Sequence, residues 1–222
     1  MFMKPATSGL NTGKVVDRAS TPHLPAWLPC RRPHWEVRRI KDVVQIRNDK
    51  VDGRPPDLAY VGLENIESWT GRLLLDTQPE VVESIVCRFA VGDVLFGKLR
   101  PYLAKVAMPE FDGICSTELV VLQPRRGLDR RFLFYTLTSR EFVRWINSLA
   151  YGTRMPRVSP EQLESAYIVL PPYKEQTAIA DRLDSEVGAL QRLMNRIDDC
   201  TRLVQELRAA RVSAGIAGGL DP

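Results

Sequence analysis

The residues Leu170-Pro171-Pro172-Tyr173 follow the apolar run Tyr167-Ile168-Val169 and come within one residue of a known chemistry. Methyltransferases that act on the adenine amino group place an Asp or Asn before Pro-Pro-aromatic, so that its side chain accepts the target N–H. Leu170 has no acceptor, and no F-x-G-x-G loop for S-adenosylmethionine occurs in the chain. The two prolines then read as mechanics: they end a strand and preset φ for a helix that starts behind them. Other catalytic patterns are also missing. There is no G-x-x-x-x-G-K-[ST] phosphate loop. No lysine has an acidic residue two positions before it, which removes the E-x-K arm of many metal-dependent nucleases. His23 and His34 are the only histidines, too few for a convincing metal site or Ser-His-Asp triad. Cys30, Cys87, Cys115 and Cys200 lie far apart without C-x-x-C pairing, as expected for reduced thiols in a cytoplasmic protein without a bound metal.

Binding chemistry is better represented. The 222 residues carry a net charge of +4, and the excess is local. Between 122 and 157, arginines 125, 126, 130, 131, 140, 144, 154 and 157 face only Asp129 and Glu141, a balance suited to a polyanion such as DNA. Lys98, Arg100, Tyr102 and Lys105 gather beside Gly97 and Pro101. Such cations neutralise phosphates, and arginine also pairs with guanine. Tyr151-Gly152-Thr153-Arg154-Met155-Pro156-Arg157 is a second candidate, where glycine permits close backbone approach. Trp69, Thr70 and Arg72 are a third.

These groups need elements to hold them. Residues 1–25 are polar and aperiodic, and read as a loose tail. From Trp35 on, short β-rich runs (WEVRRI, DLAYVGL, VVESIVCRF, DVLFGKL, AKVAM, ELVVLQP) recur about every ten residues, suggesting one compact, mostly antiparallel sheet. Residues 129–150 place Phe132, Tyr135, Phe142, Trp145, Ile146 and Leu149 at helical spacing, predicting one amphipathic helix of about five turns. Ser159-Pro160-Glu161-Gln162 is a capping box with proline at the first helical position. YIVL reads as a buried strand. Beyond Pro172, Leu183, Leu190, Ile197 and Val204 repeat every seven residues, and Val187, Leu193, Met194, Cys200 and Leu207 fill the stripe. No proline interrupts residues 173–214, and seven basic residues balance seven acidic ones over 174–211. A helix of this length spans roughly 60 Å and is patterned as a coiled coil. The seam expected is Leu183, Val187, Leu190, Met194, Ile197 and Val204. No run of about 18 apolar residues exists to span a membrane.

The succession PHWEVRRIKDV, YVGLENIESWTGRL, GDVLFGKLRPYLAKV, STELVVLQP and GTRMPRVSPEQLESAYIVLPPYKEQTAIADRLD, closed by ELRAARVSAGIAGGLDP, resembles half of a type I restriction-modification specificity subunit over roughly residues 33–222. The resemblance implies an α+β fold: a globular, β-rich target-recognition domain at 26–172, one long coiled-coil-forming helix at 173–215, and a C-terminal tail at 216–222. It implies a non-catalytic chain that reads one half of a split sequence in double-stranded DNA. The helix would dock an adenine methyltransferase subunit and, in a full complex, a restriction and translocase subunit. S-adenosylmethionine and ATP would be bound by those partners, not by this chain. A typical member has two recognition domains and two helices, whereas one of each is present here. Pairing with a second copy, pairing with a different half chain, and a remnant of a longer gene all remain open. The competing expectation is a coiled-coil interaction or decoy half-subunit that no longer reads DNA.

Overall fold

The computed structural model describes residues 32, 34–52, 57–75 and 85–217. The expected tail at 1–25, residues 218–222 of the expected tail at 216–222, and His23 and Cys30 lie outside the described residues. By internal contacts the chain divides into two units, Met1–Thr177 and Ala178–Pro222.

The first unit is α+β. Its strands are β1 (Glu36–Arg39), β2 (Val44–Arg47), β3 (Lys50–Asp52), β4 (Ala59–Val61), β5 (Ile85–Phe89), β6 (Val94–Gly97), β7 (Val106–Ala107), β8 (Gly113–Ser116), β9 (Leu119–Pro124) and β10 (Tyr167–Leu170). They do not form the one sheet expected. Among the described residues they sort into a pair β1-β10, a four-stranded sheet β2-β9-β6-β7 and a second four-stranded sheet β3-β5-β8-β4. All pairings are antiparallel except β4 with β8. The physical reason is visible in burial. All four residues of β6 and the first four of β9 are buried, so these strands are covered on both faces and show no two-residue alternation. A core cluster including Val61, Phe89, Leu95, Cys115 and Val121 draws on both four-stranded sheets. Cys87 and Cys115 are free thiols opposed across β5 and β8, and burial pushes the Cys115 thiol up to about 12.

The expected single helix over 129–150 is two: α2 (Arg130–Thr138) and α3 (Arg140–Ser148), following the one-turn α1 (Ile40–Val43). Ser139 is extended (φ −64°, ψ 143°) and ends one helix while starting the next. Its Oγ donates to the Thr136 carbonyl (2.8 Å) and accepts from the Phe142 N–H (3.3 Å). A serine that satisfies both orphaned ends competes with the uninterrupted helix, which apolar periodicity does not reveal.

Elsewhere local chemistry gives the element expected. In α4 (Pro160–Ser165), Ser159 Oγ accepts from the Gln162 N–H (3.2 Å), while Gln162 Oε1 accepts from the Ser159 N–H (2.8 Å). Leu170 ends β10 opposite Glu36, and α5 (Tyr173–Ile216) begins after Pro171-Pro172. The first turn of α5 is fastened within the first unit. Glu175 accepts from Trp35 Nε1 (3.0 Å) and lies 2.8 Å from His34 Nε2. These hydrogen bonds, from Trp35 first and then His34, hold its carboxyl below the usual range. Gln176, 1% exposed, accepts from the Asp129 N–H (2.9 Å) and donates to the carbonyls of Gly127 (3.0 Å) and Pro171 (2.8 Å). Gln176→Leu removes all three bonds from a buried site and is expected to destabilise the fold by about 3 kcal/mol. A urea titration reads this directly, and an unchanged midpoint would show that water replaces the amide.

The second unit is the remainder of α5 and the chain that follows it. Val187, Leu190, Leu193, Met194, Ile197, Val204 and Leu207 are all exposed in the single chain, while Leu183 is half-buried. No helix among the described residues is long and apolar enough to cross a membrane.

Candidate nucleic-acid interface

The three basic and aromatic groups are far apart in sequence and meet in one place. Leaving β6, the chain runs through Lys98, Leu99 and Arg100 into a single 3-10 turn, Pro101–Leu103. The Lys98 N–H donates to the Glu118 carbonyl (2.9 Å), and the Lys98 carbonyl accepts from Val158 (3.0 Å). The Arg100 N–H donates to the Pro156 carbonyl (2.7 Å), and Leu99 bridges Arg157. Tyr151 and Arg157 close their own loop through reciprocal backbone bonds of 3.0 and 2.9 Å. Gly152 enters that loop at φ +90°, a conformation that suits a residue without Cβ. The third group joins through the Trp69 N–H, which donates to the Ala104 carbonyl (3.3 Å). Behind it Gly71 (φ +71°) packs so closely that an added Cβ would fall on the Val106 carbonyl and the Phe134 ring.

Backbone strain marks the same spot. Among the described residues, the non-glycine residues with positive φ are Trp69 (69°), Arg100 (49°) and Ala104 (47°). Each sits in the left-handed region at a cost of about 1 kcal/mol, and all three belong to this junction. Strain retained at a surface junction is a pointer to function.

The side chains divide into tethered and free. Arg157 Nη2 contacts both Glu118 carboxylate oxygens at 2.5 and 2.6 Å. Lys105 Nζ donates to the Leu63 carbonyl (2.6 Å). Arg72 Nη2 donates to Glu67 (3.3 Å), which also accepts from Thr70 Oγ1 (2.6 Å). These three cations brace the loops. The side chains of Lys98, Arg100 and Arg154 have no ion-pair partner among the described residues, and Thr153 is exposed. Tyr102, Tyr151 and Trp69 are 44%, 56% and 45% exposed, large aromatic areas for surface positions.

Sequence reasoning missed part of this surface. Arg140, Val143, Arg144 and Asn147 of α3 join Trp69 and Tyr102 around a cavity of about 250 Å³. The available signal was their spacing: positions 140, 144 and 147 share one helical face, opposite buried Phe142 and Ile146. Among the described residues no cluster of His, Cys, Asp and Glu forms a metal-binding group.

A family model, the type I restriction modification DNA specificity domain, matches residues 33–199, three quarters of the chain. The chain belongs to that specificity family. It is 25% identical over 196 residues to the type I restriction enzyme EcoDI specificity subunit of Escherichia coli, covering 87% of this chain and 44% of that protein. It is 27% identical over 203 residues to the MjaVIII specificity subunit of Methanocaldococcus jannaschii, covering 83% and 45%. The crystal structure of the HsdS subunit from Thermoanaerobacter tengcongensis superposes with a TM-score of 0.58 at 25% identity, over 82% of this chain and 50% of that one. The chain therefore spans about half the length of the curated relatives it matches. The α+β fold with its long C-terminal helix agrees with that structure.

Proposed function

We propose that this specificity-family chain reads one half of a bipartite sequence in double-stranded DNA and supplies no catalytic group. The observation that carries the reading is the convergence of three distant segments on one surface. There, free cations (Lys98, Arg100, Arg154) stand beside exposed aromatics (Trp69, Tyr102, Tyr151) on a strained, braced backbone. Free cations suit phosphates and guanine edges, while rings suit sugars and unstacked bases. The tethered Arg157, Lys105 and Arg72 position the loops that present them.

The exposed stripe of α5 serves pairing. Residues 178–199 hold five acidic and three basic residues, and 200–216 hold one acidic and three basic, so the halves carry −2 and +2. Two copies running antiparallel set unlike halves together, whereas parallel copies set like against like. This favours a second copy in antiparallel register, with the seam at Leu183, Val187, Leu190, Met194, Ile197 and Val204. An adenine methyltransferase subunit, which binds S-adenosylmethionine, and an ATP-dependent restriction subunit assemble on the pair in the cytoplasm.

A genome-wide map of methylated adenines in the host, with and without this gene, tests the reading. Loss of a palindromic split motif is the expected result, because a two-fold pair reads the same half-site twice. An asymmetric motif would assign a different half chain as partner. No change, with the chain expressed and the methyltransferase active, would leave the decoy reading in its place.

A further inference from the structure

The cavity beside α3 is built differently from a phosphate-tracking surface. Its lining combines Trp69 and Tyr102 with Arg140, Arg144 and Asn147, with Val143 as the apolar member. Asn147 Oδ1 is buried and is the one buried side-chain polar atom without a hydrogen-bond partner among the described residues. A buried amide oxygen left unpaired is costly, and in native proteins such atoms are rare enough to call for an explanation. The cavity volume of about 250 Å³ leaves room for one planar heterocycle. Trp69 is held in its left-handed conformation while the residue stays 45% exposed. Arg140 and Arg144 are exposed without an ion-pair partner among the described residues.

From this set we infer that the cavity receives one unstacked nucleobase of the bound DNA. The ring packs on Trp69 or Tyr102, a turn of the Asn147 side chain presents its buried Oδ1 to a base N–H, and the flanking phosphates meet Arg140 and Arg144. An aromatic face accepts any base because every base has a π-face, and the amide oxygen adds a requirement for a donor. Taking a base out of the stack opposes binding, so the contact is strongest where the base is already unpaired. This inference rests on the DNA-reading function proposed above and names what one part of that surface holds.

The test uses the full chain and three 30-base-pair duplexes of one arbitrary sequence, followed by fluorescence anisotropy. The first is intact, the second has a central abasic site opposite thymine, and the third has abasic sites on both strands. The second is expected to bind ~10-fold tighter than the first, the ratio implied by one base–aromatic contact. The third retains the flexibility but has no base to offer, and is expected to lose that gain. Asn147→Leu, close in shape and without the orphaned oxygen, and Trp69→Gly, which suits the left-handed backbone, should each bring the ratio of second to first towards one. Equal affinity for the first two duplexes, or an equal gain for the third, overturns the cavity assignment and leaves DNA reading standing. A ratio unmoved in both variants overturns it too. Failure of the wild-type chain to bind any of the three would overturn the DNA-reading proposal itself.

Discussion

Charge reversal of Lys98 and Arg100 together is expected to lower affinity for duplex DNA by ~100-fold or more at moderate salt. Both side chains lie on the loop between β6 and β7, and neither has an ion-pair partner among the described residues to compete for it. Each phosphate contact releases condensed counterions, and its loss lowers the slope of log affinity against log salt by about 0.9. The double variant should therefore bind more weakly and depend less steeply on salt, by about two contacts. Arg72→Glu provides the contrast. Its guanidinium already meets Glu67, so the reversal disturbs the Trp69 loop but removes no free cation. An anisotropy titration over a range of potassium chloride separates the cases. A double variant with wild-type affinity and slope would remove this loop from the interface.

Leu190→Asp is expected to abolish pairing of the long helices. Leu190 is 61% exposed in the single chain and lies at the centre of the heptad stripe. If that stripe is covered by a second copy, the substitution buries an uncompensated carboxylate at about 3–5 kcal/mol. A two-fold pair carries the substitution twice, and so loses roughly double. Sedimentation should show a dimer for the wild-type chain at micromolar concentration and a monomer for the variant. Because the residue is exposed in the monomer, the β-rich unit should keep its thermal transition. An unchanged mass would count against Leu190 lying in the seam.

Much of this organisation is legible in the sequence because its signals are local. The heptad of α5, the Ser159–Gln162 capping box and the prolines ahead of Tyr173 each act within a few residues, and the elements follow. The strand arrangement was less accessible. β2, β3 and β8 are short, and β8 reads Gly-Ile-Cys-Ser, a poor strand by composition that is held by neighbours on both sides. The break at Ser139 depends on a side chain choosing the helix ends over solvent, which periodicity does not encode. At the candidate interface the residue types were readable, but the division of labour was not. That Arg157 would find Glu118, 39 positions away, or that Lys105 would reach the carbonyl of Leu63, depends on the tertiary arrangement of the loops. Arg140, Arg144 and Asn147 gain meaning only when α3 is placed beside Trp69 and Tyr102.

The left-handed residues Trp69, Arg100 and Ala104 have a consequence for anyone who breeds this protein for robustness. Glycine suits such backbone best, so replacing any of them relieves the local strain, by up to about 1 kcal/mol. A laboratory selection that scores only heat resistance or soluble yield would thus favour Trp69→Gly and Arg100→Gly among its early winners. Such a lineage would become hardier while losing an aromatic and a cation from the same loop junction. Thermal endurance and target discrimination would then pull in opposite directions at the same codons, and a useful screen would have to score both at once.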